Sequence, residues 1–196
     1  MSQKDQEKWD RKYLENPRLR EARPPLRWLE DPRLPAPGLA LDLACGTGRN
    51  AVALAQNGWK VDALDLSPVA LQILTEAAEA AGVRESIRTG LIDLDSYEAP
   101  SERYDLILIA NYLDRELIRR IASALKTGGV LILETYMEHP ENEKKDSNPD
   151  YLLQAGELPR LPGSSFETLL YEEFWNEGYE MYRMRKAALI ARKIRD

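Results

Sequence analysis

From Leu39 onward, apolar runs of strand length alternate with amphipathic stretches of helical period, which restricts the chain to a layered α/β fold with a mostly parallel sheet. Two runs, Tyr104 to Ala110 and Val130 to Leu133, are unbroken, the pattern of strands buried on both sheet faces, so they are expected at its centre. Ala40 to Ala44, Lys60 to Leu64 and Ile87 to Ile92 supply three more strands. A helix is expected from Gly48 through about Gln56, closed by Asn57-Gly58. A second is capped by Ser67 with Pro68 as its first residue, and shows Leu71, Leu74, Ala78 and Ala81 on one face until Gly82 stops it. Leu113, Leu117, Ile121 and Leu125 form a stripe that predicts a helix ending at Gly128-Gly129.

The last third changes character. Phe166 to Asn176 and Tyr179 to Ile194 are strand-like on either side of Glu177-Gly178, which predicts a hairpin. The fold class expected is therefore α/β: a Rossmann-like, doubly wound, mainly parallel seven-stranded sheet over residues 39–196 that ends in an antiparallel C-terminal hairpin.

A chain of 196 residues buries one substantial core but is short for two. Residues 1–38 therefore read as an accessory arm, charged and holding six of the twelve prolines (Pro17, Pro24, Pro25, Pro32, Pro35 and Pro37). Trp9, Tyr13 and Leu14 stand at helical spacing, so a short helix is expected to dock its aromatic face on the main body. Residues 137–161 begin polar (Glu138, Glu141, Glu143, Lys144) and turn apolar at Tyr151-Leu-Leu; with the arm they read as a lid over a site.

Composition excludes several classes of function. With 27 Lys and Arg against 33 Asp and Glu, the formal charge of −6 lacks the basic footprint of a nucleic-acid partner. No window approaches the run of about 18 apolar residues that spans a bilayer. A single cysteine, Cys45, and a start charged from the outset are the marks of a cytoplasmic protein. One histidine (His139), one cysteine and no paired ligand spacing predict no metal site.

The chemistry is concentrated in Asp42-Leu-Ala-Cys-Gly46-Thr-Gly48, at the tip of the first strand, where open α/β sheets hold ligands. The two glycines let the backbone turn sharply and approach a ligand, and Asp65 ends the second strand, placed to accept from a ribose diol. Two readings compete, because Gly46, Gly48 and Ala51 also satisfy a dinucleotide fingerprint. Charge separates them: a pyrophosphate would meet the carboxylate of Asp42 with the wrong sign, whereas a sulfonium bearing an ammonium group would be attracted to it. Asp42 bonding only its own loop would suit either ligand.

On these residues the sequence resembles the class I methyltransferases that use S-adenosylmethionine, which share the Asp-x-x-x-Gly-x-Gly loop, an acidic end to strand two and a C-terminal hairpin. More closely, Trp9-Asp-Arg-Lys-Tyr13, Asn111-Tyr-Leu-Asp-Arg115, Glu134-Thr-Tyr136, Asn148-Pro-Asp-Tyr-Leu-Leu and Gly156-Glu-Leu are similar to the bacterial tellurite-resistance and thiopurine groups. The resemblance implies that Gly46 and Gly48 line the methionine portion, that Asp65 holds the ribose and Asp93 the adenine amino group, and that Leu94 packs beside the adenine. Asp42, Ala44, Leu66, Asn111 and Tyr13 complete the expected cofactor set. Where the resemblance leads one to expect histidine the chain has Asp114, which cannot take over the role of an imidazole at neutral pH.

Methyl transfer from a sulfonium needs alignment and desolvation more than a metal. The acceptor is expected over the ends of strands four and five, flanked by Asn111, Tyr112, Arg115 and Tyr136, with Tyr112 and Arg115 positioning it. A thiol, a metalloid oxyanion or another small metabolite is the expected acceptor. Cys45 reads as structural. Two other functions stay open at this level: a nicotinamide-dependent oxidoreductase, and a non-catalytic protein that binds S-adenosylmethionine.

Overall fold

The apolar runs become strands because their β-branched and leucine side chains fill both faces of one sheet. In the computed structural model of the chain, which describes residues 3–16, 24–176, 178 and 180–195, these are β1 (Leu39–Leu43), β2 (Lys60–Asp65), β3 (Ile87–Leu91), β4 (Tyr104–Ala110), β5 (Leu125–Tyr136), β6 (Phe166–Trp175) and β7 (Arg185–Lys193). Their order in the sheet is β3-β2-β1-β4-β5-β7-β6. The first five run parallel, and β7 pairs antiparallel with both β5 and β6. The reversal in strand order falls between β1 and β4, which opens a crevice at their carboxyl ends.

One face of the sheet packs against α2 (Arg49–Gln56) and α3 (Pro68–Ala80), burying Ala40, Val61, Leu106, Val130 and Ile190 with Leu54 and Leu74. The other face buries Leu41, Leu43, Ile107, Ile109, Leu131 and Leu133 with Leu117 and Ile121 of α4 (Arg115–Ile121). Each such leucine or isoleucine contributes about 1.5–3 kcal/mol through burial. The connection from β3 to β4 contains no helix, so much of this second face is closed by irregular chain, including Leu153, Leu158 and Leu161. Ser67 caps α3 as expected, its Oγ accepting from Ala70 N at 3.1 Å.

Two expectations need correction. The stripe from Leu113 to Leu125 is not one helix: α4 stops at Ile121, a 3-10 turn follows, and Leu125 is extended, the first residue of β5. Leu125 still faces the same core, because the shift in backbone keeps its side chain on the buried side. In the hairpin, β7 begins at Arg185, so the connection is longer than two residues. Asn176 organises it by donating to Tyr182 O at 2.8 Å and accepting from Met184 N at 3.0 Å. Glu177, half of the expected turn, lies outside the described residues.

The N-terminal stretch has two parts. The first is α1 (Gln3–Glu15), which buries no residue completely; Asp10 and Tyr13 turn toward the main body while Leu14 is exposed. Pro17 lies outside the described residues. Residues 24–38, by contrast, join the core: Leu26 and Trp28 are buried, Leu26 N donates to Asn50 Oδ1 at 3.0 Å, and Trp28 packs edge-on against Phe174 of β6.

Candidate functional site

Where β1 ends, the backbone turns left-handed at Ala44, Gly46 and Gly48, with φ of 53°, 55° and 83°. The loop is fixed from β2: Cys45 N donates to Leu64 O at 3.1 Å, Gly46 N to Asp65 Oδ2 at 2.8 Å, and Ser67 N to Asp65 Oδ1 at 2.9 Å. The two glycines differ in what they accommodate. A Cβ on Gly48 would lie 1.9 Å from Leu74 Cδ1, so the absence of a side chain at Gly48 makes room for Leu74 of α3. A Cβ on Gly46 would instead meet the hydroxyl of Tyr13, 3.0 Å away. This side of the loop is open to the crevice, and α1 lies across it, with Asp10 accepting from the Ser67 hydroxyl.

The loop has an unusual electrostatic character. Asp42 is buried, and its Oδ2 has no hydrogen-bond partner among the described residues. Desolvation pushes its pKa up to about 7, against the pull of Arg49 and with a further push from Asp65. Asp65 is raised too, by burial first, while its bonds from Ser67 and Gly46 oppose the rise. Burial also pushes the Cys45 thiol up, with Asp42 and Asp65 adding to it, so this cysteine is no nucleophile. A buried carboxylate with one unpartnered oxygen, beside a second carboxylate, is the complement of a cation. The donor set therefore fits a sulfonium or ammonium group and would repel a pyrophosphate.

The other expected residues are distributed along the strand ends. Leu66 and Asp93 are half-buried, and Asp93 accepts from Asp95 N at 3.0 Å. Asn111 takes φ of 58° and donates its N–H to Glu134 O at 2.7 Å, turning the chain out of β4 at the level where Ala44 leaves β1. Tyr112 is half-buried; desolvation, reinforced by Asp114, Asp95 and Asp93, holds its phenol protonated far above its ordinary value. Leu94 is fully buried within the cluster that holds Leu113 and Leu117, so it has no surface to offer an adenine and serves the core instead.

Arg115 is also corrected. Its guanidinium pairs with both carboxylate oxygens of Glu157 and donates to Asp150 O at 2.8 Å and Leu152 O at 3.0 Å. These bonds commit it to residues 150–157 and not to an acceptor. They also bind down the segment read as a lid, which Leu153 continues by bridging to Met137 beside β5. Asp114, where the resemblance leads one to expect histidine, caps α4: its Oδ1 accepts from Glu116 N and Leu117 N, both at 2.9 Å. Sequence reasoning missed Trp28, Glu180 and Lys186, which meet Glu134 and Tyr136 at the ends of β5 and β7. The available signal was a charge directly flanking each apolar run, Glu134 after Val130 to Leu133 and Lys186 before Ala187 to Ala191.

Comparison with known proteins agrees with this geometry. A methyltransferase domain family matches residues 40–129. The crystal structure of TehB from Haemophilus influenzae superposes with a TM-score of 0.69 at 25% identity, over 81% of this chain and 58% of that one. Over residues 40–129 the chain is similar to methyltransferase domains, and its fold is that of the S-adenosylmethionine-dependent methyltransferases. Among its relatives are the ribosomal RNA small subunit methyltransferase C of Alcanivorax borkumensis, 29% identical over 69% of this chain and 44% of that protein, and the tRNA 5-carboxymethoxyuridine methyltransferase of Escherichia coli K12, 30% identical over 57% and 52%. The chain spans about half the length of these relatives. Among the described residues, no helix is long and apolar enough to cross a membrane.

Proposed function

We propose that the chain transfers a methyl group from S-adenosylmethionine to a small-molecule acceptor in the cytoplasm. The observation that carries this reading is the buried, unpartnered Oδ2 of Asp42 at the glycine loop. The cofactor supplies a methyl group already activated by its sulfonium, so the protein's task is to align the reactants and exclude water.

In this reading Asp42 attracts the positive end of the cofactor, and Gly46 gives its backbone close access with Ala44 and Asn111 on either side. Asp65, whose two oxygens each take one backbone N–H, has lone pairs left for the ribose hydroxyls. Leu66 and Asp93 flank the adenine, and Tyr13 covers the methionine portion from α1. Tyr112, protonated at any working pH, donates a hydrogen bond at the acceptor side. The same carboxylates weigh against a nicotinamide dinucleotide. Two relatives are named for RNA substrates, but a net charge of −6 supports a small acceptor over a phosphate backbone.

The test is calorimetric titration with S-adenosylhomocysteine and, separately, NADH. Micromolar binding of the first alone is the expected result. Binding of NADH alone would replace this reading with the oxidoreductase, and tight nucleoside binding without turnover of any acceptor would leave a binding protein.

A further inference from the structure

At the ends of β5 and β7 one buried ammonium sits between two buried carboxylates. Lys186 Nζ donates to Glu134 Oε1 at 3.1 Å and to Glu180 Oε1 at 2.8 Å, and the three side chains are only 2%, 7% and 8% exposed. The remaining oxygens are engaged as well: Glu134 Oε2 accepts from Trp28 Nε1 at 2.6 Å, and Glu180 Oε2 accepts from the Tyr136 hydroxyl at 2.8 Å. Burying such a group costs more than packing hydrophobic residues of the same volume, so stability alone does not explain it.

Its position suggests a purpose. Glu134 lies in register with Ala110 of β4 and Ala188 of β7, and Tyr136 lies opposite Lys186. The carbonyl of Glu134 takes the N–H of Asn111, so the cluster borders the loop that holds Tyr112. Glu180 is ionised: burial raises its pKa, but Lys186 and Tyr136, with Arg49, bring it below the usual carboxylate value. Arg49, which follows Gly48, acts electrostatically on both Asp42 and Glu180, so the cluster and the glycine loop lie within reach of one guanidinium.

Building on the methyltransferase reading, we propose that Tyr136 and Glu180 form the proton-accepting pair of the reaction, with Lys186 as a positioning residue, and that the acceptor is a neutral thiol, hydroxyl or amine. A phenol that donates to a carboxylate still accepts through its oxygen. A pair that takes up a proton serves an acceptor that arrives with one, which a fully ionised oxyanion does not. As the bond from the acceptor atom to the methyl carbon forms, the acceptor's proton passes to Tyr136 Oη and the phenol's proton to Glu180 Oε2. The electron pair of the broken carbon–sulfur bond stays on sulfur. The sulfonium and the carboxylate charges are thereby both discharged, and Glu180 later releases its proton to water.

The experiment compares the unmodified protein with Tyr136→Phe and Glu180→Gln. Calorimetry with S-adenosylhomocysteine is expected to agree within about twofold for all three. Methylation is then followed with alkyl thiols, thiophenols of graded acidity, a phenol, a primary amine, and selenite. For weakly acidic thiols both variants are expected to lose roughly 100-fold, and much less for thiophenols that arrive ionised, so dependence on acceptor acidity steepens. A purely structural defect would depress every acceptor alike, and that uniform loss would overturn the proposal. So would methylation of selenite alone, or of no probe by a protein that binds the nucleoside. Failure of the unmodified protein to bind the nucleoside would instead remove the methyltransferase reading underneath.

Discussion

The backbone N–H of Gly46 donates to Oδ2 of Asp65 at 2.8 Å, so the residue that ends β2 also shapes the loop that leaves β1. The other oxygen of Asp65 takes the N–H of Ser67, which in turn caps α3. One carboxylate thereby sets the floor of the crevice from both sides, before any ligand is present.

Asp65→Ala is expected to weaken S-adenosylhomocysteine binding by more than about tenfold. It leaves two backbone N–H groups without their acceptor, which costs about 1–3 kcal/mol of stability. Calorimetry and urea unfolding measure the two effects on the same samples. Unchanged affinity in a folded variant would remove Asp65 from the cofactor site.

The two loop glycines are predicted to fail differently. Gly48→Ala combines a left-handed φ of 83° with a Cβ at 1.9 Å from Leu74, and is expected to cost about 2–4 kcal/mol in thermal or denaturant unfolding. Gly46→Ala meets only the end of the Tyr13 side chain, which can give way, so stability should fall by about 1 kcal/mol while nucleoside affinity falls more. If Gly46→Ala proved the more destabilising, the loop would not be open toward α1.

Asp42 should make the ligand-free protein sensitive to pH. Its folded pKa of about 7 lies above the unfolded value of about 3.9, so the native state binds the extra proton between those limits. Stability is therefore expected to fall as pH rises through that window, by a few kcal/mol at most, and to level off above about pH 7. Asp42→Asn should flatten the slope and melt higher at pH 8, yet bind S-adenosylmethionine more weakly. Scanning calorimetry from pH 4.5 to 8.5 checks the first point, and an unaltered slope in the variant would refute the assignment.

Arg115 is predicted to be a fastener. Arg115→Lys cannot span Glu157 and two carbonyls at once, so hydrogen exchange at Leu152 and Leu153 should speed up and stability drop by about 1–3 kcal/mol. Nucleoside affinity should change little. Slow exchange preserved in the variant would show that the segment is held by its leucines alone.

Much of the scaffold was legible in the sequence because burial on both sheet faces leaves an unbroken apolar signature, as in Tyr104 to Ala110. The glycine loop was equally plain, since three left-handed positions leave few residue choices. What escaped were relationships between distant residues. Trp28 looked like part of a proline-rich arm because its partner, Glu134, stands on β5. Arg115 looked free because Glu157 reaches it from a loop that carries no periodicity. The stripe ending at Leu125 misled because a helix and the strand after it can point successive leucines into one core. Asp114 was read as a missing histidine, whereas locally it is an effective helix cap.

β7 is synthesised after β6 yet lies between β5 and β6. A nascent chain can therefore assemble the glycine loop well before it can complete the sheet, and until residues 185–193 emerge, the apolar flank of Val130 to Leu133 faces water as an unpaired edge. Ribosomes stalled short of that point would carry a species able to stick to its neighbours. Lys186 arrives with the same strand, so the chain gains its proposed proton-accepting wall only in the step that removes this hazard.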